Sequence, residues 1–170
     1  LDLNLSYRSG KDLLQLDLFA AYLQDYISSF IDTSLTPRLP MSPGVRPFSN
    51  IGDAFKTGFE LSWNRELFKG LQQQFSVAYT YGQDLEREQP LPEIAPLDLR
   101  YSLSGSLLQE RLQPEVSLRH VLRQGRVSQE FGETSTPAFT LLDVNLAYRL
   151  SDWGRLSAGV QNLFDVTYYE

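Results

Sequence analysis

The sequence predicts an all-β fold, an antiparallel up-and-down meander of about eight strands. The main observation is a period of two in the hydrophobic residues, which places alternate side chains on opposite faces of an extended chain. Residues 55–63 show it most plainly, because Lys56, Gly58, Glu60 and Ser62 alternate with apolar or β-favouring residues. A helix would spread these apolar residues around all its sides. A second observation, that proline- and glycine-rich stretches separate the runs, divides them into strands.

Two strands precede this central segment. Residues 1–8 alternate from the start, and Ser9-Gly10-Lys11 supplies a tight turn. Residues 14–22 form the second strand, whose extended character is expected to continue to about Phe30. Residues 32–50 contain four prolines, which lack the N–H donor that a strand ladder needs. We therefore expect a long loop there.

The remaining elements continue the same alternation to the end of the chain. The later predicted strands are residues 55–64, 71–82, 98–107, 115–123, 140–150 and 156–161. The predicted turns are 66–70, about 110–113 and 151–154, and the predicted long connections are 84–96 and about 125–137. The 84–96 connection is rich in acidic residues and proline, which indicates a solvated loop.

Composition excludes several classes of protein. With 42% hydrophobic and 21% charged residues, the chain is not a disordered polymer, and it contains no apolar run long enough for a membrane helix. The absence of cysteine excludes disulfides, thiolate zinc sites and cysteine catalysis. A net charge of -6 argues against nucleic acid as a partner.

Three features favour a transmembrane β-barrel. Short and long connections alternate, which puts all short turns at one end and all long loops at the other, as in outer-membrane barrels. The runs cover about nine to thirteen residues, the span of a tilted membrane strand. Charged residues stand in mid-strand, where a water-filled or plugged lumen would accept them. A soluble eight-stranded lipocalin-like barrel binding a small ligand, and a small closed outer-membrane barrel, remain the alternatives.

The candidate site residues fall into two groups. Basic and aromatic residues of the first long loop are candidates for contact with an anionic ligand, namely Arg38, Arg46 and Phe48. Charged residues of the polar rows are candidates for facing the lumen, where we expect them to pair across strands, namely Asp17, Lys56, Glu60, Arg100, Arg119, Asp143 and Arg149. The single histidine, His120, lies in an apolar row, and no catalytic, cofactor or metal site is expected.

Several segments resemble a known family. Asn50-Ile51-Gly52-Asp53-Ala54, followed by Gly58-Phe59-Glu60-Leu61, resembles a loop end and strand entry of TonB-dependent outer-membrane receptors. Tyr79-Thr80-Tyr81 with the acidic loop after it is similar to their next hairpin. Gly159-Val160-Gln161-Asn162-Leu163-Phe164-Asp165 with Tyr168-Tyr169 resembles their C-terminal strands most specifically. The resemblance extends over nearly the whole chain.

This resemblance implies a transporter rather than an enzyme. Family members form a barrel of about 22 strands filled by an N-terminal plug domain. They lie in the outer membrane of Gram-negative bacteria and import a scarce ligand, such as an iron-siderophore, with energy passed through TonB. Residues 1–170 are then expected to be a partial barrel domain without its plug and final strand. The implied partners are membrane lipid, the plug, the remaining strands, the TonB complex and the ligand.

Overall fold

The computed structural model describes residues 1–39, 41–42 and 44–169. Within these residues no helix is long and apolar enough to cross a membrane. The chain forms strands joined by turns and loops, which confirms the all-β prediction. The strands are β1 Asp2–Ser9, β2 Asp12–Leu23, β3 Ile27–Ser29, β4 Phe48–Asn50, β5 Ala54–Phe68, β6 Leu71–Asp84, β7 Gln89–Pro90, β8 Asp98–Gly105, β9 Leu112–Val121, β10 Phe139–Ser151 and β11 Gly154–Val160.

The eight long strands form one antiparallel sheet in chain order. The order is β1-β2-β5-β6-β8-β9-β10-β11, with the short β7 attached to β6. Each long strand therefore pairs with the next long strand along the chain, which confirms the predicted meander. The strands β1 and β11 lie at opposite edges of the sheet. The sheet of described residues is consequently open rather than closed on itself.

The connections alternate in length as predicted. The short turns are residues 10–11, 69–70, 106–111 and 152–153, and the long loops are 24–53, 85–97 and 122–138. Because consecutive strands run in opposite directions, all the short turns lie at one end of the sheet and all the long loops at the other. We call these the short-turn end and the long-loop end.

Three predicted boundaries were wrong. The turn predicted at about 110–113 occupies residues 106–111, because β8 ends at Gly105 and β9 begins at Leu112. The second strand ends at Leu23 instead of continuing to about Phe30, because Asp25 adopts a φ of 52° and turns the chain. Its carboxylate accepts a hydrogen bond of 2.9 Å from the Asn50 amide, and β3 then pairs with β4 in a separate hairpin. The central turn is also tighter than the predicted 66–70, since β5 continues to Phe68.

The strand register separates a polar face from an apolar face. Asp17 lies opposite Glu60, Arg100 lies opposite Arg119, and alternation along each strand places the other charged candidates on this same face. The opposite face carries many large exposed apolar side chains, including Leu3, Leu5, Tyr7, Leu14, Leu18, Tyr101, Val116, Leu118, Leu146, Leu156 and Val160. A sheet with this pattern needs an apolar surrounding on one side and water or a polar partner on the other.

The buried core is small and lies at the long-loop end. It consists of Ile51, Ala54 and Leu91, against which Leu23, Tyr26 and Ile94 pack. Because Ala54 shares a face with Lys56, two residues further along β5, this core sits on the polar face. The long loops therefore fold back over that face instead of extending away from the sheet.

Candidate functional site at the polar face and the long-loop end

A pair of arginines occupies the polar face of β8 and β9. Arg100 and Arg119 are direct cross-strand neighbours, an arrangement in which like charges repel. Asp98 offsets the repulsion, because its Oδ2 accepts hydrogen bonds of 2.9 Å from Arg100 Nη2 and from Arg119 Nε. Both arginines therefore form ion pairs with Asp98, an acidic residue that was not among the predicted site residues. The spacing of Asp98 and Arg100, two residues apart on one face, is the sequence signal that could have identified it.

A pair of carboxylates occupies the same face on β2 and β5. Asp17 and Glu60 are direct cross-strand neighbours, and the Asn4 side-chain amide donates a hydrogen bond to the Asp17 carboxylate. Lys56 lies opposite Ala21 and Gly82, at some distance along β5 from both acids. The expectation that these residues would form ion pairs with one another was therefore wrong here. The pairing register of β2 and β5, which the sequence alone did not predict, places the two carboxylates opposite each other.

Asp143 and Arg149, the two candidates on β10, lie in different surroundings. The Asp143 carboxylate accepts a hydrogen bond of 2.7 Å from the backbone N–H of Asn162, where the chain turns at a φ of 49° after β11. Arg149 lies opposite Arg155 near the short-turn end, and Arg155 donates a hydrogen bond of 2.8 Å to Gln113. Both residues lie on the polar face. Asp143 is two residues along β10 from Leu141, the partner of Arg119, whereas Arg149 lies near the short-turn end, away from Arg100 and Arg119.

The predicted ligand contacts lie at the long-loop end. Arg46 donates a hydrogen bond of 2.7 Å to the Phe131 carbonyl, and its guanidinium lies 4.1 Å from the centroid of the Phe131 ring. Arg38 is exposed, and Phe48 is 80% exposed on β4. Sequence reasoning missed Phe131, because it comes from a different long loop and carries no local motif. The structure thus joins one of the three candidates to an aromatic partner.

The long loops are bonded to one another. Ile31 donates a backbone hydrogen bond of 2.8 Å to Glu130, and the Gln89 amide donates one of 3.1 Å to the Glu130 carboxylate. Within the first loop, the hydroxyl and backbone N–H of Ser34 both bond to Asp32 and hold the pKa of that carboxyl below its usual value. These contacts order the loops into one connected assembly.

No metal-binding cluster was predicted, and the part of the chain that the structure describes contains no group of three or more His, Cys, Asp or Glu residues suited to a metal ion. His120 lies on the apolar face, and its Nδ1 is 2.7 Å from the Thr140 hydroxyl oxygen. It is therefore held within the sheet by its cross-strand neighbour.

Comparison with known proteins identifies the family. The TonB-dependent receptor-like β-barrel family matches residues 1–163, nearly the whole chain. The chain belongs to the TonB-dependent receptors. A search of curated proteins found no match. Members of the receptor family reside in the outer membrane, and this is the location of the chain.

Solved structures show the same fold. The copper transporter OprC is 26% identical with a TM-score of 0.86, over 99% of this chain and 25% of the transporter. The ferric yersiniabactin uptake receptor FyuA of Yersinia pestis is 18% identical with a TM-score of 0.74, over 98% and 24%. The ferric enterobactin receptor PfeA of Pseudomonas aeruginosa is 19% identical with a TM-score of 0.73, over 97% and 25%. The chain thus spans about a quarter of each of these proteins.

The family assignment decides between the fold alternatives. A lipocalin-like soluble barrel and a small closed outer-membrane barrel are both excluded, because the chain is a TonB-dependent receptor barrel and its eight long strands form an open sheet with β1 and β11 at opposite edges. The family consists of receptors and transporters, which agrees with the expectation drawn from the resemblance.

Proposed function

We propose that the chain forms part of the barrel wall of an outer-membrane receptor that imports a scarce ligand, an iron-siderophore or a similar metal chelate. The observation that carries this proposal is the family match over residues 1–163. Two of the structural neighbours are ferric siderophore receptors, which supports an iron chelate as the ligand. The protein acts without catalysis or a cofactor, and its transport is driven through TonB.

The sheet orientation follows from its two faces. The polar face, which carries the arginine pair and the carboxylate pair, lines the lumen, where a plug domain and water solvate these charges. The apolar face contacts membrane lipid. The edges at β1 and β11 pair with further strands of a larger barrel, because an unpaired edge within a membrane leaves backbone N–H and C=O groups without partners. Residues 1–170 are on this view a partial barrel domain without the plug.

The ligand is captured at the long-loop end. Arg46 is the strongest contact candidate, because its guanidinium is oriented by Phe131 and the side chain is exposed. Cationic and aromatic groups together suit an anionic or aromatic chelate. Arg38 and Phe48 are further contacts on the same loop. The contact with TonB belongs to a part of the receptor outside these residues.

The test is uptake by the full-length receptor in a bacterium that lacks its own siderophore receptors. We expect accumulation of radioactive iron from one ferric catecholate, hydroxamate or phenolate chelate, and loss of that accumulation when TonB is deleted. An Arg46→Ala variant should bind the chelate severalfold more weakly, while Lys69→Ala, an exposed cation at the short-turn end, should bind it normally. Absence of TonB-dependent uptake for every chelate would refute the proposal.

Copper is the second candidate ligand. The structural match to the copper transporter OprC combines 26% identity with a TM-score of 0.86, both higher than the values for the two siderophore receptors. The same cells supplied with limiting copper decide between the two ligands. TonB-dependent copper accumulation without uptake of any ferric chelate would favour copper.

A further inference from the structure

The segment 91–96, which we call the strap, lies across the polar face at the long-loop end. Leu91 is 1% exposed in the small core, and Ile94 packs beside it. Both contact β6 at Gly82, where an added Cβ would lie 2.7 Å from Ile94 Cδ1 and 3.1 Å from Leu91 Cβ. The strap therefore lies close against the sheet, at a position where an added Cβ would force the Ile94 side chain to shift.

Loop 122–138 holds the strap in place through two side chains. Glu133 accepts hydrogen bonds from two loops at once, since its Oε1 is 2.6 Å from the Glu93 backbone nitrogen and its Oε2 is 2.8 Å from that of Ser128. The Gln124 amide donates a hydrogen bond of 2.6 Å to the Ile94 carbonyl. Glu133 and Gln124 together form a clamp, with one contact on each of two successive strap residues.

The clamp binds the strap at a residue with an unfavourable backbone conformation. Glu93 has a φ of 59°, in the left-handed region that is unfavourable for a residue with a side chain. Its N–H is the group that Glu133 binds. The base of the loop is fixed separately, because the buried Asp84 carboxylate accepts hydrogen bonds of 3.0 Å from the N–H groups of Glu86 and Arg87. Release of the clamp would therefore loosen residues 93–96, while the base of the loop and the hydrogen bond of 3.2 Å from the Leu91 N–H to the Gly82 carbonyl stay in place.

The strap and loop 122–138 also border a cavity that is partly open to solvent. It has a volume of about 280 Å³ and is bounded by Thr80 and Gly82 of β6, by Ile94 and Pro96 of the strap, and by Gln124 of the loop. Opening the strap would widen this cavity toward the space in front of the polar face. The clamp thus controls how much room is left beside this part of the sheet.

We propose that the strap is a gate over the polar face, held closed by Glu133 and Gln124, and that a ligand passing along this wall requires the strap and loop 122–138 to separate. This inference rests on the proposed function, because it takes the polar face to line the transport path. On this proposal the strap and loop 122–138 close together, because the hydrogen bonds made by Glu133 and Gln124 connect them.

A labelling experiment tests the clamp without any ligand. A Leu91→Cys reporter is placed in the full-length receptor, in an otherwise cysteine-free background, and its reaction with a water-soluble maleimide is timed. We expect slow labelling with the clamp intact and at least tenfold faster labelling with Glu133→Ala. The matched control is Glu130→Ala, which removes a carboxylate from the same loop that bonds Gln89 instead of the strap. Equal rates in the Glu133 and Glu130 variants would overturn the clamp.

Three further measurements keep the test decisive. Gln124→Ala removes the second contact alone and should give an intermediate rate, and heat-dependent gel mobility shows whether each variant has a folded barrel. Cysteines at Ile94 and Gln124, joined by a short bismaleimide, should abolish uptake of the transported ferric chelate, and normal uptake by the joined protein would overturn the gate. If the unmodified receptor imports no chelate, the proposed function fails. The labelling rates still show whether Glu133 and Gln124 hold the strap against the sheet.

Discussion

Replacing Gly58 by alanine tests how closely the polar face of β5 packs against its neighbouring strands. A Cβ at this position would lie 2.3 Å from the backbone oxygen of Tyr79 and 2.5 Å from Cζ of the Phe19 ring. Carbon atoms attract one another best at about 3.5–4.0 Å, so a shift on the order of 1 Å is needed. The ring can rotate away, but the carbonyl belongs to the neighbouring strand and moves only if the ladder bends.

The expected cost follows from these distances. Overpacking a well-packed site destabilises a protein by about 1–3 kcal/mol. Replacing glycine by alanine also makes the unfolded chain less flexible, which stabilises the folded state by about 0.4–1 kcal/mol. We therefore expect Gly58→Ala to lower the free energy of unfolding by about 1–2 kcal/mol, measured by urea unfolding of the full-length receptor in detergent micelles. Gly125→Ala is the control, because nothing lies within 4 Å of its added Cβ. Equal stability of the two variants would refute the packing argument.

Three other predictions concern orientation, charge and pH. A spin label at Leu61 should be accessible to oxygen dissolved in lipid, and a spin label at Glu60 should be accessible to a water-soluble nickel complex. The reverse pattern would contradict a lumen-facing polar face. Asp98→Asn, measured by the same urea unfolding, should destabilise the barrel by about 1–2 kcal/mol because two arginines lose their shared carboxylate, whereas Asp17→Asn should cost less than about 0.5 kcal/mol. Because hydrogen bonds to Asp32 depress its pKa, the order they give the first long loop should persist above the ordinary value of 3.8 and be lost as pH falls below it. Limited proteolysis across that range checks this, and an unchanged loop at lower pH would count against it.

The sequence predicted the sheet well because its signals are local. Alternation over residues 55–63 defines a strand without reference to any distant residue, and a turn such as Gly10-Lys11 defines its end. The error at Leu23 has a non-local cause, since Asp25 takes its left-handed conformation with the help of Asn50, 25 residues further along the chain near the end of the first long loop. Strand existence is a local property, whereas a strand end depends on such distant partners.

The candidate site was predicted less completely, because contacts across strands depend on register. Alternation placed Arg100 and Arg119 on one face, but a shift of register would change which residue lies opposite each of them. The same applies to Arg46, whose aromatic partner Phe131 is distant in the chain. No periodicity in either loop marks that pair.

The sequence alone determined that this protein is a meander of two-faced strands with long loops at one end, because side-chain alternation and turn chemistry act over a few residues. Tertiary structure decided where the loops go. The strap lies on the polar face because Gly82 leaves room for Ile94 and because Glu133, from another loop, binds its backbone. Such contacts join segments that are far apart in the chain, so only the folded arrangement brings their atoms within hydrogen-bonding distance.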